Sequence, residues 1–195
     1  MMAKYSAPAS GNTTTELDIP SVLGEANATN VLTLLDDFQE KGPNGTHTCL
    51  VYEPMGGTVA STLEHLVESK ESRNFKPHGI IRYPKTLAKR ILKHTLLGLD
   101  AMHRCEIVHG DLQPGNLLFA ARGLDKVDES KLQQDPANIT APLERLDGKK
   151  DQWAPEYLAI GQPLHEYADL GPSAEIRISD FGAGKIAISR TDMQD

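Results

Sequence analysis

Three side chains that could do chemistry fall into two short motifs. Ile107-Val108-His109-Gly110-Asp111-Leu112-Gln113-Pro114-Gly115-Asn116-Leu117-Leu118-Phe119 holds a carboxylate and, five positions later, an amide; Ile178-Ser179-Asp180-Phe181-Gly182 holds a second carboxylate. Asp111 can accept or orient the proton of an attacking hydroxyl. The amide oxygen of Asn116 and the carboxylate of Asp180 are hard donors of the kind magnesium takes. Such a set suits phosphoryl transfer, in which the protein places a hydroxyl and balances phosphate charge and has little covalent chemistry to perform. Pro114 stiffens the turn between Asp111 and Asn116. Taken singly the motifs say little, since His-Gly-Asp is a turn with a polar tip and Asp-Phe-Gly is an ordinary strand end. Their order, and the apolar strand-like runs before Asp111 and after Asn116, supply the context that gives them weight.

The elements that must position these residues are partly legible. Leu87, Ile91, Leu92, Leu96, Leu99 and Met102 recur at steps of three and four, which predicts a long helix begun by Pro84 that delivers the chain into the Asp111 loop. Val59, Leu63, Leu66 and Val67 predict a shorter amphipathic helix over 58–69. Residues 30–38 and 48–52 flank a Lys-Gly-Pro-Asn-Gly turn and predict an antiparallel hairpin. Between 15 and 30 the pattern is broken by Pro20 and Gly24 and predicts no helix. Met1 to Thr15 is rich in Ser, Thr, Ala and Gly, has no apolar core, and reads as a disordered tail rather than a leader or a span. The stretch 125–135 is charged and aperiodic, which predicts a mobile segment.

With these residues in view, the chain resembles the protein kinase superfamily, and within it the SR-protein kinases, which are serine/threonine kinases. The resemblance rests on the Asp111–Asn116 loop, on Asp180-Phe181-Gly182, and on Leu34-Leu35-Asp36-Asp37-Phe38, Asn44-Gly45-Thr46-His47 and Val51-Tyr52-Glu53, which look like the family's fourth and fifth strands. It implies an α+β, protein kinase-like fold that is partial: a remnant of the β-rich N-lobe with its hinge, plus the front half of the mainly helical C-lobe. It further implies ATP and Mg2+ as cofactors and a protein substrate of Arg/Ser-rich type. Asp111, Gln113 and Asn116 would be catalytic, and Asn116 and Asp180 would hold the metal. Tyr52 would sit at the gatekeeper position, the Glu53 carbonyl and the Met55 N–H would face adenine, and Leu118 would form the floor beneath it. The implied organisation is a tail over 1–24, then a partial kinase domain over 25–195: N-lobe remnant and hinge (25–56), C-lobe helices and loop (57–119), an insert (120–176) and the Asp-Phe-Gly segment (177–195). Within the insert, Leu143 to Gly148 and Trp153 to Leu158 look like elements of fungal relatives, and Trp153 and Tyr157 are expected to pin it to the body.

The departures are specific. Gly110 replaces the arginine that many kinases carry before the aspartate, so a phosphorylated loop would find no cation there. Gln113 stands where a lysine is usual, exchanging a full charge for a neutral amide. No Gly-x-Gly-x-x-Gly and no Val-Ala-x-Lys strand is read before residue 30, and 13 residues follow Gly182, so the expectation is a kinase truncated at both ends with impaired transfer. Two other readings compete: a non-catalytic pseudokinase fragment that acts by binding, and an aminoglycoside- or choline-type small-molecule phosphotransferase, whose loop also lacks the lysine. The net charge of -7 argues against direct binding of nucleic acid. Only Cys49 and Cys105 are present, without metal-ligand spacing, and fit a reduced intracellular setting, cytoplasmic or nuclear.

Overall fold

The computed structural model describes residues 2–5, 13–42, 45–68, 82–143, 147–149, 157–161 and 164–186. A three-stranded antiparallel sheet is formed by β1 (Met2–Tyr5), β2 (Leu34–Gly42) and β3 (Gly45–Tyr52), in the order β1-β3-β2. The predicted hairpin is β2–β3, with Phe38 opposite Cys49 and a bulge between Leu34 and Asp36. Beneath it, β4 (Met55–Thr58), β6 (Leu117–Ala120) and β9 (Ile176–Ile178) make a second antiparallel sheet in which β6 is central. The segment 30–32 ties the two together: Ile178 N–H donates to Asn30 O and Leu32 N–H to Ile178 O.

The first 24 residues, expected to be a tail, instead supply β1 and most of helix α1 (Thr13–Glu25). Pro20 lies inside that helix and costs it a hydrogen bond, roughly 3 kcal/mol by itself. Ile19 and Leu23 are buried on the inner face, and at about 1.5–3 kcal/mol each they offset that loss. The stop signal is Asn27 rather than Gly24. Asn27 takes the left-handed conformation, φ 50°, while its N–H bonds Gly24 O and the Ala28 N–H reaches back to Leu23 O.

Helix α2 (Val59–Glu68) begins where its spacing predicts. Thr58 Oγ1 accepts from the Ser61 N–H and Ser61 Oγ accepts from the Thr58 N–H, a reciprocal cap. Helix α3 (Lys85–Arg104) buries the line Leu87, Ile91, Thr95, Gly98 and Met102. Leu92 and Leu96, expected in the same stripe, are 64% and 65% exposed because they fall on the opposite side of the buried line. The core gathers Ile19 and Leu23 of α1, Ile91 and Met102 of α3, Phe119 and Ile176 of the second sheet, and Ile107 and Phe181 from the segments that follow α3 and β9.

The insert is locally ordered. Helices α4 (Glu129–Leu132) and α5 (Pro136–Ile139) are each one turn, capped by Asp128 and Asp135, whose carboxylates accept from the N–H groups of Ser130 and Ala137. The polar residues that looked aperiodic are caps. Among the described residues, strands β7 (Thr140–Pro142) and β8 (Tyr157–Ala159) pair only with each other. Tyr157 is 57% exposed and does not pin the insert; Trp153 lies outside the described residues. The return to the body is held by Arg122, which pairs with Asp169 and donates to Ser173 O, and by the Asp169 N–H on Ala120 O.

Candidate active site

The Asp111 loop is positioned by α3 and by β5 (Ile107–Val108), which pairs with β10 (Lys185–Ile186) just beyond the Asp-Phe-Gly motif. Ile107 is fully buried and anchors the loop. His109, also buried, bridges the two motifs: its Nε2–H donates to Ser179 O at 3.0 Å and its Nδ1 accepts from the Asp111 N–H at 3.2 Å. Both bonds together require the neutral ring with its proton on Nε2. The ring also tilts against Phe181, centroids 5.9 Å apart. Gly110 follows at φ +82°, where an added Cβ would lie 2.3 Å from Ala183 O. The loop and the Asp-Phe-Gly turn thus touch backbone to backbone.

The three catalytic candidates of the loop come together. The Asp111 carboxylate accepts from Gln113 Nε2 at 2.9 Å and from Asn116 Nδ2 at 3.2 Å, and Asn116 Nδ2 also reaches Asp111 O at 2.9 Å. Gln113, read from the sequence as a lost lysine, therefore holds one oxygen of Asp111. A 3-10 turn over Pro114–Asn116 sets this geometry, closed by the Asn116 N–H on Gln113 O. Asn116 O in turn accepts from the Ser179 N–H at 2.9 Å and from Ser179 Oγ at 3.1 Å. That fixes Asp180, the next residue, beside Asn116. Asp180 is left-handed, φ 65°, which turns the chain so that Phe181 enters the core while Asp180 stays exposed.

The donors suit magnesium. Among the described residues no three His, Cys, Asp or Glu side chains gather as a metal cage, and a magnesium ion takes one or two protein oxygens and completes its shell with phosphate and water. With Nδ2 of Asn116 committed to Asp111, its Oδ1 is the end of the amide left for a cation.

Tyr52, Met55 and Leu118, the residues expected around adenine, are also assembled. Met55 and Leu118 are buried with Leu32 in a small cluster of their own, edged by Tyr52 and Ala120. Leu118 is opposite Thr58 on one side and Arg177 on the other. Glu53 ends the turn from β3, and its carboxylate pairs with Arg177. Strands β6 and β9 thereby join this cluster to Asn116 and Asp180. A separate concavity of about 400 Å³, lined by Asn30, Val31, His94, Glu175 and Arg177 among others, contains none of Asp111, Asn116 or Asp180.

Sequence reading missed two features. Lys4 lies on β1, opposite Leu50 in β3, so a lysine-bearing strand does stand beside the hairpin; the signal was Met2-Ala3-Lys4-Tyr5, obscured by its small polar neighbours. Helix α1 packs on the Phe181–Ala183 turn, where a Cβ on Gly184 would meet Ile19 Cδ1 at 2.6 Å.

Helices packed on antiparallel sheets, with an Asp–Asn loop hydrogen-bonded to the Asp-Phe-Gly turn, make an α+β fold. The model of the protein kinase domain matches residues 4–195, and the chain belongs to that family. It is 33% identical over 151 residues to protein kinase dsk1 of Schizosaccharomyces pombe, covering 76% of this chain and 24% of that protein. It is 36% identical over 107 residues to the probable serine/threonine-protein kinase sky1 of Dictyostelium discoideum, covering 53% of this chain and 14% of the relative. To SRSF protein kinase 3 of Sus scrofa it is 35% identical over 132 residues, 61% of this chain and 21% of that one. The chain thus spans between 14% and 24% of the length of these relatives. Members of the protein kinase family use ATP with Mg2+. No helix among the described residues is long and apolar enough to cross a membrane.

Proposed function

We propose that this chain carries the nucleotide and metal half of a serine/threonine protein kinase of the SR-protein kinase type, acting on hydroxyls of Arg/Ser-rich protein segments. The observation that supports the reading is the continuous hydrogen-bonded path from Asp111 through Asn116 to Ser179, the residue before Asp180, since a proton acceptor and two metal ligands would have to meet there. Asp111 accepts the hydroxyl proton, and Gln113 orients its carboxylate for that task. Asn116 and Asp180 would hold magnesium, which when bound supplies charge neutralisation at the phosphates. Leu118 would form the floor beneath the base, with the Glu53 carbonyl and the Met55 N–H reading its edge. Lys4, on the strand beside the hairpin, would be the cation for the phosphates, a role that its residue type and strand position support. In this reading 2–56 form the upper lobe and hinge, 57–119 the lower-lobe helices and catalytic loop, 120–176 an insert and 177–195 the metal-binding segment.

The test is titration of the 195-residue chain with ATP in the presence and absence of Mg2+, alongside transfer from ATP to an Arg/Ser-rich peptide. Magnesium-dependent nucleotide binding is expected, lost in Asp180→Ala. Transfer is expected to be slow, because Gln113 puts a neutral amide where a full charge is usual and one missing preorganised contact costs roughly a hundredfold to a thousandfold. Nucleotide binding indifferent to both Mg2+ and Asp180 would refute the assignment.

A further inference from the structure

Arg177 joins the two ends of the cleft. Its Nη1 pairs with Glu53 Oε1 in the hinge, and its Nη2 lies 4.0 Å from Glu175 Oε2. The Arg177 and Glu53 side chains are only 26% and 29% exposed, so the pair is screened less than a free surface pair. On the backbone, Arg177 is in register with Leu118, the floor of the apolar cluster. Two residues further along the same strand direction, Ser179 is bonded to Asn116 O, and Asp180 follows it. One short strand therefore grips the hinge by a side chain and carries a metal ligand at its end.

We infer that Arg177 is a positioning residue that sets the hinge, through Glu53, at a fixed separation from the Asn116–Asp180 end of the cleft, and so selects for ligands that carry both adenine and phosphates. The inference rests on the nucleotide reading above. Without the guanidinium, the Glu53 carboxylate faces Glu175 with no cation between them, and residues 53–55 lose their side-chain anchor to β9. The phosphate end keeps its own anchors, His109 to Ser179 and Ser179 to Asn116, and is unaffected. Arg177 thus acts on adenine recognition alone.

The experiment measures binding of MgATP and of magnesium tripolyphosphate, which lacks the adenosine, to the full 195-residue chain and its variants. Arg177→Gln is expected to weaken MgATP roughly five- to tenfold, the range between an exposed and a buried ion pair, while tripolyphosphate affinity stays within about twofold of wild type. Glu53→Gln should give the same selective loss, and the double variant Arg177→Gln/Glu53→Gln should lose no more than either single one, because each acts through the other. Arg177→Lys should recover part of the loss, and the exchanged pair Arg177→Glu/Glu53→Arg most of it. Equal weakening of both ligands by Arg177→Gln, or additive losses in the double variant, would show a general structural role and overturn the inference. Unchanged MgATP binding in the variants would overturn it while leaving the nucleotide reading intact. A wild-type chain that binds neither ligand would remove that reading and this inference with it.

Discussion

Replacing Gly110 by alanine separates two costs that are usually confounded. The first is conformational: at φ +82° an L-residue is in the left-handed region, which costs about 1–2 kcal/mol. The second is contact: the new Cβ would lie 2.3 Å from Ala183 O and 3.0 Å from Ala183 C, both backbone atoms that cannot turn aside. Relief requires the Asp111 loop and the Asp-Phe-Gly turn to part, and the bond from His109 to Ser179 O resists that movement. Overpacking of this kind costs roughly 1–3 kcal/mol, so the sum is about 2–5 kcal/mol, a large share of the roughly 5–15 kcal/mol that a domain has. Gly123 is the internal control. Its φ is +74°, but nothing lies within 4 Å of the added atom, so Gly123→Ala should carry the conformational cost alone. Urea unfolding of both variants, read by linear extrapolation, should place Gly110→Ala below Gly123→Ala by at least about 1 kcal/mol. Equal losses would mean that the two motifs are not packed backbone to backbone, and the route from Asp111 to Asp180 would have to be redrawn.

In Gly98→Ala, better helix propensity, worth up to about 1 kcal/mol, competes with a Cβ 2.6 Å from Asn30 O, which is itself held by the Ile178 N–H. The backbone contact should win, giving a net loss of about 1–2 kcal/mol in urea unfolding; a stabilised variant would contradict the close approach of α3 to the 30–32 segment. Tyr83→Phe removes the hydroxyl that donates to Val59 O at 2.6 Å and should cost about 1 kcal/mol. Burial raises the Tyr83 pKa, so the native state resists ionisation and wild-type stability should fall as pH rises past about 10, a slope that the phenylalanine variant reduces. His94, whose Nδ1 accepts from the Ile176 N–H, has its pKa lowered by burial first and then by Arg90 and Lys93, against an opposing pull from Glu175. Its unfolded form takes up a proton before the native form does. The His94 contribution is therefore intact above about pH 6.5 and lost as pH falls from there toward the lowered native value. His94→Gln should flatten that limb in pH-dependent unfolding, and an unchanged slope would refute it.

The Asp111–Asn116 loop and the Asp180-Phe181-Gly182 turn were legible as motifs without coordinates because residue types and short turns are local. The hairpin and the two main helices were legible because a period of two or of three to four survives in the residues that face a core. The same logic failed where a single side chain or proline outweighed the pattern. Pro20 hid α1 because local propensity does not register the burial of Ile19 and Leu23 against the Phe181 turn. The two apolar residues Leu92 and Leu96 matched the α3 spacing and still face outward, since spacing of three and four fits more than one face when leucines are abundant.

What the sequence determined by itself is the set of groups on offer: carboxylates at Asp111 and Asp180 and an amide at Asn116, in two motifs whose order fits the protein kinase family. Only the tertiary structure decided how they are held. That His109 bridges two motifs seventy residues apart and that Arg177 pairs with Glu53, 124 residues away, are contacts between segments distant in the chain. No local pattern encodes such contacts, because the energy that selects them comes from burial and hydrogen bonding that exist only once the two sheets and α3 have closed on one core.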